Sequence, residues 1–172
     1  MTTSFSGSVK VGLGWNYQST DLLSLVAAFN SKYDVSTSYA DGEGANQSEF
    51  IWADRRAVTV ATTNDDIDLY GTLTDAFGLT INPKVIKTLL IYNRATASTE
   101  DLLVGAAGSN QFATIFNGGT TSVARVDPGG CVLWHSPRVG YAVTSSTADI
   151  LRVQHSGSAG DISYDIIMIG TK

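Results

Sequence analysis

The most apolar run of the chain, residues 85–92, carries apolar side chains on both of its alternating faces. Those faces read Val85, Leu89, Ile91 and Ile86, Leu90, Tyr92. A strand that is apolar on both faces is typical of the middle of a core, with other layers above and below it. The pattern therefore predicts a central strand, in which Leu90→Asp should prevent folding because it buries an unpaired charge.

Strict alternation predicts two further long strands, residues 9–17 and 162–169. We expect both to lie beside residues 85–92, and the second to be central as well, because one of its faces is entirely apolar. Trp15 and Tyr17 share a face with Val9, Val11 and Leu13, which favours a core position for both aromatic side chains.

Shorter runs predict the remaining strands: 35–39, 50–60, 67–69, 102–104, 112–116, 123–126, 131–134, 141–143 and 150–154. The turn Asn117-Gly118-Gly119 predicts a hairpin between residues 112–116 and 123–126. Residues 22–29 fit either an amphipathic helix or a buried strand, and the surrounding strands favour the second reading.

Many short strands separated by Gly, Asn, Asp and Ser turns are typical of a sandwich or a barrel. We predict an all-β fold, a two-sheet antiparallel β-sandwich of jelly-roll-like form. Because the 172 residues contain no linker-like segment, we expect a single sandwich domain over residues 9–172, preceded by a flexible N-terminal arm over residues 1–8.

Charge and composition narrow the classes of partner. Charged residues make up 16% of the chain, the net charge is −5, and no Lys/Arg cluster stands out, so we expect no nucleic-acid contact. No apolar stretch approaches the ~20 residues that span a bilayer, and the N-terminus lacks the layout of a signal peptide. These features predict synthesis in a cytoplasm and no membrane association. Cys131, the single cysteine, is expected to be a small buried hydrophobe.

The candidate chemistry is sparse. Residues 156–160 have the wrong spacing for a nucleophile elbow, and neither His135 nor His155 stands at metal-ligand spacing from another ligand. The run Asp65, Asp66, Asp68 could supply oxygens to Ca²⁺, but a polar strand edge explains it better, so Asp66→Ala should matter little. We predict no enzyme, no catalytic, cofactor-binding or metal-binding residue, and no cofactor. A glycosidase-type carboxylate pair from distant strands stays open.

The aromatic residues leave two alternatives for a binding surface. They could form a sugar-stacking platform, as in lectins, or anchor a protein interface. Trp52, close to Arg55 and Arg56, is the better interface candidate. Asp41 and Glu43, in the glycine-rich loop 41–47, complete the predicted interface set.

Several segments resemble a family of small virion proteins of tailed bacteriophages. They are residues 41–47 (DGEGANQ), 54–56 (DRR), 67–78 (IDLYGTLTDAFG), 85–87 (VIK), 91–93 (IYN), 103–105 (LVG), 127–130 (DPGG) and the ending 164–170. Tyr70 departs from the pattern, which has a small residue there.

The resemblance implies a non-enzymatic capsid decoration (cement) protein that binds the outer capsid surface and stabilises the shell. Its implied partners are the major capsid protein and copies of itself, as a dimer or trimer, and its implied location is the virion. A tail or head-fibre component and a carbohydrate-binding β-sandwich module are the alternatives.

Overall fold

The computed structural model describes residues 4–20, 26–156 and 160–172, with the side chains of residues 19, 20 and 26–30 left out of the description. The regular secondary structure of the described residues is almost entirely β-strand, with one short 3-10 helix, which confirms the predicted all-β class. The strands are β1 (Gly7–Thr20), β2 (Val26–Asp41), β3 (Gln47–Ser48), β4 (Phe50–Val58), β5 (Asn64–Asp68), β6 (Val85–Asn93), β7 (Leu102–Gly105), β8 (Val123–Val126), β9 (Cys131–His135), β10 (Tyr141–Ala142), β11 (Ile150–His155) and β12 (Ile162–Thr171).

Two antiparallel sheets form the sandwich, as predicted. One runs in the order β10-β6-β12-β4, with β9 pairing to residues 88–92 of β6 and β10 pairing to residues 85–86 of the same strand. The other runs in the order β5-β11-β7-β8. Both sheets contribute side chains to one hydrophobic cluster, with Leu89 and Ile166 from the first sheet and Val104 and Leu151 from the second. A third sheet, β1-β2-β3, consists mainly of a long two-stranded ribbon.

Strand β12 is central, as its pattern predicted. It pairs with β6 on one side and with β4 on the other. Its predicted apolar face is wholly buried: Ile162, Tyr164, Ile166 and Met168. The other expected neighbour of β6 was wrong, because residues 9–17 pair with β2 and not with β6.

From residue 88 onwards, after a shift in its pairing register with β12, strand β6 is fully covered on one face only. Leu89 and Ile91 are buried in the hydrophobic cluster, whereas on the opposite face Leu90 is half-buried and Tyr92 is exposed. That second face is covered at Thr88, which bonds to the base of the ribbon. The position at which an introduced charge would be most damaging is therefore Leu89 and not Leu90.

Residues 112–116 were predicted to be a strand, and this was wrong. Thr114–Phe116 form a 3-10 helix, which ends where Asn117 takes a left-handed backbone (φ 53°). The Asn-Gly-Gly turn therefore links this helix to β8 instead of closing a hairpin. Phe112, which precedes the helix, and Ile115, which lies within it, are buried in the core, so these apolar positions reflect contact with the core and not a strand.

Cys131 is exposed, contrary to prediction. It begins β9 directly opposite Tyr92, and both side chains lie on the outer face of the sheet.

The predicted boundaries near the N-terminus shift slightly. Gly7 and Ser8 already belong to β1, and the Phe5 amide donates a hydrogen bond of 2.9 Å to Asp41 Oδ1. Of the ambiguous segment 22–29, the backbone from Val26 onwards is strand, and residues 22–25 lie outside the described residues.

A candidate interaction surface

The ribbon of β1 and β2 is the most prominent feature outside the sandwich. All 14 residues of β1 pair with β2, from Gly7 opposite Tyr39 to Thr20 opposite Val26. At ~3.3 Å per residue a strand of this length extends about 45 Å. Such a ribbon can carry binding groups well away from the sandwich that supports it.

Register divides the ribbon into two chemically different faces, because residues directly opposite each other share a face. On one face Val11 lies opposite Val35 and Leu13 lies opposite Tyr33. On the other, Lys10 faces Ser36, Gly12 faces Asp34, and Gly14 faces Lys32. The first set defines what we call the apolar face, to which Trp15 and Tyr17 also belong by alternation.

The apolar face is open to solvent. Its side chains are exposed by between 41% and 72%: Val11, Leu13, Trp15, Tyr17, Tyr33 and Val35. The expectation that Trp15 and Tyr17 lie in the core was therefore wrong. Alternation shows that one face of a strand is apolar, but it does not show which molecule provides the layer that covers that face.

The base of the ribbon is held on the sandwich by a small polar cluster. Tyr39 Oη and Thr88 Oγ1 are 3.0 Å apart. The His135 ring connects Thr88 Oγ1, 3.0 Å from Nδ1, to Thr37 Oγ1, 3.1 Å from Nε2. Burial lowers the pKa of His135 and, against the opposing effect of the Thr88 hydrogen bond, raises the pKa of Tyr39. Both groups are therefore held in their neutral forms, which suits a network of hydroxyl and imidazole hydrogen bonds.

The glycine-rich loop beside this base is fixed to β6 by a buried lysine. Lys87 Nζ donates hydrogen bonds to the carbonyl oxygens of Gly44 and Glu43, and its burial lowers its pKa. The Glu43 carboxylate faces Lys84 Nζ at 3.3 Å, with both side chains well exposed. The loop thus presents Asp41 and Glu43 at the surface on a firmly held backbone.

Trp52 does not supply an exposed aromatic anchor. Its side chain is 8% exposed and packs in the core cluster. Alternation along β4 turns Phe50 and Trp52 inward and leaves Ile51 on the outer face. The polar residues that follow Trp52 suggested exposure, but they stand further along the strand and do not determine the face on which Trp52 lies.

Arg55 and Arg56 are engaged within the chain. Arg56 holds Asp65 with two hydrogen bonds, 2.6 Å from Nε to Oδ2 and 2.8 Å from Nη2 to Oδ1. Arg55 Nε lies 2.8 Å from Asp165 Oδ1, and Arg94 pairs with the second oxygen of Asp165. Both guanidinium groups are therefore held by carboxylates of the same chain, Arg55 by one in its own sheet and Arg56 by one in the other sheet.

The five predicted interface residues do not form one surface. Arg55 lies opposite Asp165, which in turn lies opposite Tyr92 near the end of β6. Glu43 contacts Lys84 and Lys87, which flank the start of β6. The arginines and the acidic loop are therefore at opposite ends of the larger sheet.

The acidic run lies on the edge strand β5, and its alternation is as predicted, with Ile67 and Leu69 buried. Asp65 and Asp66 are ion-paired, however, and not simply solvated. Arg152 binds Asp66 through two hydrogen bonds of 2.6 and 2.7 Å, and Asp68 accepts the Tyr70 amide at 2.9 Å. Within the described ranges, no group of three or more His, Cys, Asp or Glu side chains is placed to hold a metal ion.

Comparison with known proteins adds one structural likeness. No protein-family profile matches the chain, and no curated protein sequence matches it. Among solved structures it is similar to a chain of the cyanophage Pam1 capsid asymmetric unit, at 19% identity, covering 77% of this chain and 90% of that one, with a TM-score of 0.28. A TM-score this low does not establish a shared fold or role. In the part of the chain that is described, no helix has the length and hydropathy needed to cross a bilayer.

The sequence contains a pattern that indicates the ribbon. Glycines at positions 12 and 14 alternate with large apolar residues, and glycine is uncommon inside strands that must be buried on both faces. The resulting strands of 14 and 16 residues are far longer than the roughly 5–6 residues typical of globular proteins. Chemically, the ribbon offers an apolar, aromatic binding face next to an acidic loop.

Proposed function

We propose that this chain is a structural protein of a tailed-phage virion, a capsid decoration protein that binds the outer shell and stabilises it. The observation that carries the proposal is the apolar face of the ribbon, held out from a rigid sandwich. Contiguous apolar patches of this kind mark surfaces that another protein covers. The segments that resemble small virion proteins, residues 41–47 and 67–78 among them, support the same role.

The charge of the chain supports a position on the outer side of the capsid shell. The net charge is −5, and several of the described basic side chains are paired with carboxylates, including Arg56, Arg94 and Arg152. A surface of this kind is unsuited to the phosphate-rich interior of a filled head. The partners in this proposal are the major capsid protein and further copies of this chain, and no catalytic step is involved.

The acidic loop is the proposed contact with the major capsid protein. Asp41 and Glu43 are exposed, and Lys87 fixes the loop backbone that carries Glu43. A loop fixed before binding loses little conformational entropy on docking. A tail or head-fibre position would use the same surfaces on a different lattice.

The experiment that tests the role is cryo-electron microscopy of the parent virion, combined with rebinding of the purified chain to capsids that lack it. We expect density for the sandwich on the outer capsid surface and a higher capsid melting temperature after rebinding. Asp41→Ala/Glu43→Ala should weaken rebinding, whereas the matched variant Asp127→Ala, at an exposed acid outside this loop, should leave it unchanged. Absence of the chain from the virion would refute the role.

A carbohydrate-binding module is the second candidate, favoured by the exposed aromatic rings of Tyr17 and Tyr33 on one side of the ribbon. Flat arrays of aromatic rings stack on sugars. A glycan array showing binding that Tyr17→Ala abolishes would favour this function over decoration. An array with no bound glycan would remove it.

A further inference from the structure

We propose that the apolar face of the ribbon is a homodimer interface, in which two copies pack these faces against each other across a two-fold axis. This dimer rests on the proposed function, in which the chain works as part of an assembly. The ribbon then binds a second copy of the chain, and the acidic loop binds the major capsid protein.

The first support is the size of the apolar face. Because a fully exposed aromatic side chain offers roughly 150–250 Å², the exposed parts of its six side chains offer on the order of 600 Å² together. That approaches the ~800 Å² per partner of a standard specific interface. The polar residues along the rim of the ribbon can supply the remainder.

The second support is the distribution of charge. Two copies that each carry −5 repel one another at long range. The described side chains of the apolar face are all uncharged, whereas Lys10, Lys32 and Asp34 lie on the opposite face, with Lys32 and Asp34 paired at 3.2 Å. Packing the apolar faces together therefore buries no charge and keeps the charged groups of both copies in water.

The third support is the ribbon's need for a second layer. An isolated two-stranded ribbon is marginally stable in water, and a packed layer on its apolar side provides the missing stabilisation. Two ribbons stacked about 10 Å apart would form a small sandwich of their own. A two-fold arrangement is self-complementary, because the same patch serves both partners.

The test is sedimentation of the full chain over a range of concentrations. We expect a species of twice the 18.2 kDa chain mass. Leu13→Lys/Tyr33→Lys places two charges from each copy in the interface and should weaken dimerisation by on the order of a hundredfold or more. The control Asn16→Lys/Gln18→Lys adds the same charge to exposed positions on the other face and should leave dimerisation unchanged. Circular dichroism melts check that both variants stay folded.

The possible results separate the interface from the capsid role. A monomer at every concentration, a trimer, or equal effects of the two double variants would each overturn the dimer. A monomeric chain that still decorates capsids would overturn the dimer while supporting the proposed function. A dimer that dissociates only in Leu13→Lys/Tyr33→Lys, found in a chain that is absent from virions, would support the interface and refute decoration.

Discussion

At the scale of single residues, the cluster of Asp65, Arg56 and Tyr164 joins the two sheets of the sandwich. Arg56 comes from β4 and Tyr164 from β12 of one sheet, and Asp65 comes from β5 of the other. Burial acts to raise the pKa of Asp65, but hydrogen bonds from Arg56 and from Tyr164, 2.6 Å away, outweigh it and lower the pKa below 3.8. Burial, followed by the carboxylate, raises the pKa of Tyr164. The cluster is therefore a charged carboxylate held by a cation and a neutral phenol.

We expect Asp65→Asn to lower the free energy of unfolding at neutral pH by about 1–3 kcal/mol, because Arg56 loses the nearer and more buried of its two carboxylate partners and keeps only Asp54, at 3.2 Å. The matched variant Asp66→Asn breaks the pair with Arg152, in which the carboxylate side chain is 37% exposed against 15% for Asp65, and should cost roughly 0–1 kcal/mol. Urea denaturation measures both, and equal losses would contradict this account of the cluster.

The same variant carries a pH test with a definite sign. The pKa of Asp65 is lower in the folded protein than its ordinary 3.8, so the carboxylate stabilises the fold above that value and the contribution is lost as the pH falls below it. The stability difference between the wild type and Asp65→Asn should therefore narrow in acid. A difference that stays constant down to the acid transition would show that the charge of Asp65 is not responsible.

At the scale of elements, the apolar pattern of β6 predicted the position of the strand in the sheet but not how deeply each of its faces is buried. The run 85–92 was correctly recognised as a central strand, and β12 was correctly recognised as a neighbour. The pattern treated Leu89 and Leu90 alike, but the sandwich core covers the Leu89 face, while Leu90 lies half-buried on the outer side. Apolar character in sequence does not reveal how deeply each face is packed, since that depends on strands distant in the chain.

We expect Leu89→Asp to prevent folding, because it places an unpaired charge in the hydrophobic cluster. Leu90→Asp should leave a folded protein with reduced stability, since the half-buried carboxylate can reach water. Circular dichroism and one-dimensional proton spectra distinguish the two states. Loss of folding in both variants would mean that the outer face of β6 is covered more completely than the structure indicates.

At the scale of the whole molecule, alternation and turn chemistry predicted the fold class and most strands. They did not predict which strand faces are exposed at the surface. Trp15 and Trp52 show why: the pattern predicted a core position for the first and an interface position for the second, but Trp15 is exposed and Trp52 is buried in the core. Each lies in a correctly predicted strand. Burial depends on whether another layer lies above that strand, and here the layer above β4 belongs to the same chain. The described side chains on the apolar face of the ribbon, in contrast, stay exposed.

The ribbon should therefore be removable without unfolding the sandwich. Among the described residues, the core cluster runs from Phe50 to Met168 and takes none from 10–36. Replacing residues 10–36 by Asn-Gly, which suits a two-residue hairpin turn, joins Val9 to Thr37, which already face each other. The shortened chain should keep its free energy of unfolding to within about 1 kcal/mol, because the changes lie outside the packed core, and should sediment as a monomer. A large loss of stability in thermal melts would mean that the ribbon folds cooperatively with the sandwich and is not dispensable for its stability.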